Sequence, residues 1–400
     1  MELLIKGARI IDWRQDITSD VYIKNGTIQD IGNNIQVDCK IIEAKGLALL
    51  PSFVDMHCHF REPGFEYKED LLSGNLAAVR GGYTAVNLMA NTNPVCSNME
   101  VVNYVLNRAK EIGLIDVHQS VSITNGFDGH SIYHLDNIDE SVKIISDDGN
   151  GVENNRVMLQ AMLKAVEKNL IIMSHAEDRE LSLYDTALSE NISTIRDIEL
   201  ANYTKARLHM AHVSTKEALQ YIIDGKRKGI NITCEVAPHH IALDNSTEYK
   251  VNPPLRNKED VNFLIEGIKQ GWVDVIATDH APHSALDKEK GLPGISGLET
   301  AFSVCFTKLV KEKHISLNKL SELMSKNPAN IMRLNKGQIK KGYDGDLVIV
   351  DLEKMYHIDI SKFASKGKNT PFDKSKVWGS IEATIKAGEI IYSREGLYDS

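Results

Sequence analysis

Between residues 50 and 280 the chain alternates. A short apolar, strand-like run is followed by a helix-like run, and the pair recurs about every 30 residues, the length a strand–helix–strand unit needs. Strand-like runs fall at 50–56, 83–89, 115–122, 142–146, 170–174, 208–213, 231–236 and 273–278. Helical runs fall between them at 68–80, 99–112, 154–168, 216–228 and 259–270. Eight such units predict an α/β fold, a (β/α)8 TIM barrel. A doubly wound sheet alternates in the same way. The barrel is favoured because chemistry-bearing side chains collect at the C-terminal ends of these strands, where barrel enzymes keep their sites.

Both ends of the chain read differently. Short apolar stretches at 3–5, 8–11, 21–23 and 41–42, with an Asn25-Gly26 turn, suggest strands, as do 346–350, 381–385 and 390–392. The expected organisation is a small β-sandwich built from 1–49 and 341–400, with a barrel over 50–340 inserted between them. The formal charge of −9 and the lack of a long basic run argue against a nucleic-acid partner. No apolar run reaches the roughly 18 residues of a membrane span, and Lys6 interrupts Leu3-Leu4-Ile5 before a secretion signal can form. Five widely spaced cysteines without a CxxC exclude a disulfide framework and a thiolate zinc site. A cytoplasmic protein is the expectation.

His57-Cys58-His59 closes the first strand. Residues two apart on a strand share a face, so both imidazoles can face the barrel mouth and grip one metal, while Cys58 points into packing. Asp147-Asp148-Gly149 ends the fourth strand, and only one of those carboxylates can face inward. His175 ends the fifth strand. On the sixth, His209 and His212 lie three apart and therefore on opposite faces; His212, at the strand end, is the better ligand. Asp279 follows the eighth strand and could serve as ligand, base or helix cap. Nitrogen and oxygen donors without thiolate suit zinc. A metal so held brings the pKa of its water to about 7 and polarises a carbonyl, which predicts hydrolysis of an amide-like bond. P-loop, dinucleotide-fold and GxSxG signatures are absent.

The blocks His57-Cys58-His59-Phe60-Arg61-Glu62-Pro63-Gly64 and Thr278-Asp279-His280-Ala281-Pro282-His283 resemble motifs of the dihydroorotases in the amidohydrolase superfamily, the bacterial type I group. So do Asn91-Thr92-Asn93-Pro94, Ser146-Asp147-Asp148-Gly149, His175-Ala176-Glu177-Asp178, His212-Val213-Ser214-Thr215, 235–240 and Asn252-Pro253-Pro254-Leu255-Arg256, in the same order along nearly the whole chain. The resemblance implies one zinc on His57, His59 and Asp279, a second on His175 and His212, and Asp148 bridging them, so one or two zinc ions per subunit. It implies that His59, Arg61, Asn91, Asn252 and His283 hold the substrate, with Pro293 and Gly294 in a contacting loop. The implied reaction is closure of N-carbamoyl-L-aspartate to L-dihydroorotate in pyrimidine biosynthesis, through a zinc-bound hydroxide in the hydrolytic direction, with Asp279 as base and then acid.

Two features depart from the wider superfamily. The fourth strand offers Lys143, five residues before Asp148 and too deep to bridge metals, so aspartate takes the place of a carboxylated lysine. The stretch from His175 to His212 is short, which bears on subunit contacts. The segment 284–292 reads as a lid, and His239 and His240 as structural or supporting groups. A homodimer and association with aspartate transcarbamoylase are the assemblies that fit this reading. The competing readings are hydantoinase, dihydropyrimidinase, allantoinase, or a non-catalytic scaffold of that transcarbamoylase.

Overall fold

The computed structural model describes residues 1–394. The N-terminal segment supplies β1 (Glu2–Ile11), β2 (Asp16–Lys24), β3 (Thr27–Gly32), β4 (Lys40–Glu43) and β5 (Ala48–Pro51). The middle supplies β6 (Phe53–Cys58), β7 (Tyr83–Leu88), β8 (Asp116–Gln119), β9 (Ile144–Ile145), β10 (Ile171–Ser174), β11 (Arg207–Met210), β12 (Ile232–Val236) and β13 (Val275–Ile276). The C-terminal segment supplies β14 (Leu347–His357), β15 (Lys376–Lys386) and β16 (Glu389–Ser393).

Strands β6 to β13 pair in parallel, in chain order, as two arcs. Parallel bridges Val121–Ile145 and Cys58–His280 join the arcs into a closed barrel. At the second seam the His59 amide donates to the His280 carbonyl at 2.9 Å. Buried Asp55 reinforces it by accepting from the Thr278 amide at 3.0 Å and from the Thr278 hydroxyl. Val54, Met56, Ala85, Ile144, Ile171, Met173 and Val275 fill the interior, with Ala329 and Met332 packed against them. Side-chain caps start the surrounding helices: Asp70, Asn98, Asn154, Thr215 and Asn257 each accept from amides of the first turn.

The termini meet in one eight-stranded sheet, ordered β16-β15-β14-β5-β1-β2-β3 with β4 also on β1. Its two halves share a core of Leu3, Ile10, Val21, Ile42, Leu49, Leu347, Ile349 and Ile385, so the packing is that of a sandwich. The strand expected over 50–56 is in fact two. Leu49 and Leu50 pair with β14, Phe53 starts the barrel, and Ser52, whose amide donates to the Asp346 carbonyl at 3.0 Å, is the crossover. A continuous apolar run hid that break, because both strands are fully buried. The helix Thr186–Thr204 was not anticipated; its buried face is largely polar, with Ser189, Glu190, Ser193, Thr194 and Asp197.

Candidate active site

The C-terminal ends of the barrel strands converge on one cluster. His57 Nε2 lies 3.2 Å from Asp148 Oδ1 and 3.7 Å from Asp279 Oδ1. His59 Nε2 lies 3.4 Å from Asp148 Oδ2 and 3.3 Å from Asp279 Oδ1. His175 Nδ1 and His212 Nε2 are 2.9 Å apart and face Asp148 Oδ1 at 3.3 and 3.5 Å. Two groups can each hold an ion, His57 with Asp148 and His212, and His57 with His59 and Asp279; ligand atoms in each lie within 4.8 Å of one another.

This donor set fits a metal. Among the described residues, His57 Nε2 and Asp148 Oδ1 are buried without a hydrogen-bond partner, a costly arrangement unless something else coordinates them. The far nitrogens of three rings are already engaged, as metal-binding histidines require. His57 Nδ1 meets Glu235 Oε1 at 2.6 Å, His59 Nδ1 meets Asn91 Oδ1 at 2.7 Å, and His175 Nε2 meets Glu177 Oε2 at 2.8 Å. Their inner nitrogens are thereby left to the centre.

Electrostatics follow from the same packing. Burial opposes the charge on Asp148, but His57, His175 and His212 outweigh it and hold the carboxyl well below its usual range. Asp279 is lowered likewise against its burial, chiefly by His59 and His57. Burial and then Arg61 push His59 down. His175 rises to about 9, because Asp148 and Glu177 overcome its burial.

Within Asp147-Asp148, Asp147 turns away. Its carboxylate accepts from the Ile123 amide at 2.6 Å and the Thr124 amide at 3.0 Å, fixing the loop after β8, while Asp148 enters the cluster. His209 is held outside by Thr233, and its Nε2 lies 3.1 Å from Glu235 Oε2. Arg61 does not continue the face of the first strand. The strand ends at Cys58, and Arg61 adopts φ 60°, a left-handed turn that brings its guanidinium toward Asn91 Oδ1 at 3.5 Å. Its Nε has no hydrogen-bond partner among the described residues. His212 and Asp279 also carry positive φ, 32° and 47°, a strain that collects at functional positions.

Asn252 lies beside the cluster, its amide 3.0 Å from Glu177 Oε2. The segment 284–292 is folded rather than open. It forms a helix, Ala285–Glu289, capped by Ser284, and Lys288 Nζ donates to the carbonyls of Lys250, Leu292 and Gly294 at 3.0 Å each. Gly294, at φ 145°, has no room for a side chain: a Cβ would lie 2.6 Å from the Ala281 carbonyl and 2.9 Å from the His283 ring. Asn369, from the loop between β14 and β15, accepts from the His283 amide at 2.9 Å and donates to the Gly294 carbonyl at 3.0 Å. Sequence reasoning gave no role to Glu235, Glu177 or Asn369. The first two stand inside quoted motifs and could have been sought as carboxylates two residues from a ligand or at the end of the seventh strand. Asn369 had no local signal.

The model of the amidohydrolase family matches residues 48–391. A dihydroorotase of Clostridium botulinum (strain Eklund 17B / Type B) is 53% identical over 398 residues, covering 98% of this chain and 100% of the relative. The chain belongs to the dihydroorotases of the amidohydrolase family. A second member, from Acetivibrio thermocellus, is 38% identical, covering 97% of this chain and 98% of its own. Among solved structures, the L-hydantoinase (dihydropyrimidinase) of Arthrobacter aurescens superposes with a TM-score of 0.88 at 23% identity, over 98% of this chain and 96% of that one. A dihydropyrimidinase of Brevibacillus agri gives 0.86 at 22%, over 98% and 95%. At that identity these two establish the barrel-plus-sandwich fold and nothing about substrate. The family is metal-dependent, and the cluster above is where a dihydroorotase of this fold can hold its metal. No helix among the described residues is long and apolar enough to cross a membrane.

Proposed function

We propose that this chain interconverts N-carbamoyl-L-aspartate and L-dihydroorotate, with His57, His59, Asp148, His175, His212 and Asp279 holding one or two zinc ions. The observation that carries the reading is the full set of six donors at one barrel mouth in a chain 53% identical, end to end, to a named dihydroorotase. When bound, the metal supplies an activated water and polarises the reacting carbonyl.

The chain's own residues do the rest. Asp279, kept ionised, accepts a proton in ring opening and returns it to the departing ring nitrogen. In the other direction it takes the proton from the ureido nitrogen as the ring closes. Arg61, half-buried with an unpartnered Nε, offers a planar fork to the carboxylate that the ring retains. Asn91 beside it and Asn252 beside Glu177 would border the ring site, and His283 with Pro293 and Gly294 would close its outer wall. Ring closure neutralises a carboxylate and consumes a proton, so lower pH favours dihydroorotate. Hydantoin and dihydrouracil carry no such carboxylate, which is why Arg61 favours dihydroorotate over the substrates named for the structural neighbours. The reaction would run in the cytoplasm. The assemblies that go with this reading are a homodimer and an association with aspartate transcarbamoylase.

The test couples metal analysis of the purified protein to hydrolysis of dihydroorotate, hydantoin, dihydrouracil and allantoin. Chelation should abolish dihydroorotate turnover and zinc should restore it. Preference for any of the other three substrates would overturn the assignment.

A further inference from the structure

Lys143 is free of the metal site because it serves the other end of the barrel. There a cavity of about 680 Å³ is lined by Lys143, Lys168, Arg207 and Arg333, with Asp139 and Glu140 as its acidic groups. That volume suits a small organic molecule. Lys143 immediately precedes β9 and Arg207 begins β11, so the cavity lies on the N-terminal face, away from the cluster of histidines.

The four cations are satisfied by neutral oxygens. Lys143 Nζ donates to the Met332 carbonyl at 2.8 Å, and Lys168 Nζ to the carbonyls of Asp136 and Ile138 at 2.7 and 3.1 Å. Arg207 and Arg333 both donate to the amide oxygen of Asn169, at 3.1 and 2.7 Å. Two guanidinium charges are thus held side by side on one neutral acceptor. Among the described residues none of the four is salt-bridged to a carboxylate, and Asp139 is turned to the Ser141 amide and hydroxyl at 2.9 and 2.6 Å. Four cations around one cavity, none of them matched by a carboxylate, make a local positive field that an anion would complete. The positive field also reaches His118, which burial, and after it Lys143, pushes down to about 4.

We propose that this cavity binds a phosphate monoester of a small metabolite. Its phosphate would sit between Arg207 and Arg333, whose forks match tetrahedral oxyanions, with Lys143 and Lys168 as further counter-charges and the rest of the cavity taking the organic part.

The experiment uses the metal-loaded enzyme and two probes, inorganic phosphate and ribose 5-phosphate, titrated by calorimetry against chloride at constant ionic strength. The wild type should bind ribose 5-phosphate more tightly than phosphate. The Arg207→Gln/Arg333→Gln pair should weaken both by about tenfold or more, with dihydroorotate turnover unchanged in the absence of the probes. Arg333 is exposed at the rim, so Arg333→Gln alone will fold and should lose part of the same affinity. Wild-type affinity weaker than about 10 mM for both probes, or unchanged affinity in Arg333→Gln, would overturn the proposal. So would binding that competes with dihydroorotate and survives Arg333→Gln, because it would place the ion at the metal centre.

Discussion

Glu235 Oε1 lies 2.6 Å from His57 Nδ1, and both side chains are fully buried. The other carboxylate oxygen faces His209 Nε2 at 3.1 Å. One acid thus fixes the ring that enters both candidate metal groups. Burial opposes its charge, but His57 and His209 lower its pKa to about 2. Replacing it by glutamine keeps the shape and removes the charge. Glu235→Gln should weaken metal retention by about 10- to 100-fold, read as metal content after dialysis against graded chelator. Unchanged retention would show that His57 needs no such anchor.

Asp279→Asn should fold, keep metal through the remaining donors and lose at least about 100-fold in dihydroorotate turnover. Turnover near the wild-type rate would remove Asp279 from the proton-transfer role.

Arg61→Met should lower kcat/KM for dihydroorotate by about 10- to 100-fold, the worth of a charge-assisted hydrogen-bonded pair of about 1.5–3 kcal/mol. Residual turnover of uncharged dihydrouracil should be unaffected. Equal losses on both substrates would mean that Arg61 shapes the loop rather than reading the carboxylate.

Gly294→Ala places a methyl group against the Ala281 carbonyl and the His283 ring. The His283 loop must shift, at a stability cost of about 1–3 kcal/mol. KM should rise while metal content stays constant, as measured by steady-state kinetics and metal analysis on the same sample.

His118 is held neutral, at about 4 against the ordinary 6.5, by burial and then Lys143. Between those values the unfolded chain binds the extra proton and the folded chain does not. Stability from this group is therefore present above pH 6.5 and lost as pH falls toward 4, by at most about 1.4 kcal/mol per pH unit. The difference in unfolding free energy between wild type and His118→Gln, from urea titrations, should shrink from pH 7 to pH 4.5. A constant difference would refute the linkage.

Strand and helix periodicity made the barrel legible, because parallel strands and their covering helices bury apolar residues at regular spacing. The helix Met99–Ile112 coincides with its sequence-based limits. Periodicity failed where buried faces are polar. In Thr186–Thr204, Glu190 accepts from the amides of Ser214 and Thr215 and from Arg256, partners distant in sequence. A pattern search for apolar spacing cannot see a face satisfied that way. The clustered histidines and Asp279 were legible as strand-end side chains, whereas Asp147 and Asp148 were separable only by the family motif. Arg61 lies beyond the strand end in a left-handed conformation, where strand alternation says nothing about its direction. Asn369 was invisible because it comes from a loop of the small sheet, far along the chain from the barrel mouth it braces.

The seam between Cys58 and His280 joins the first barrel strand to the last. His57 and His59 are thus among the earliest donors made during synthesis, and Asp279 is the latest. A nascent chain that has emerged only through β12 already carries five of the six proposed donors but lacks Asp279, the proposed base. Fragments truncated before residue 279 should be inert however well their individual strands form.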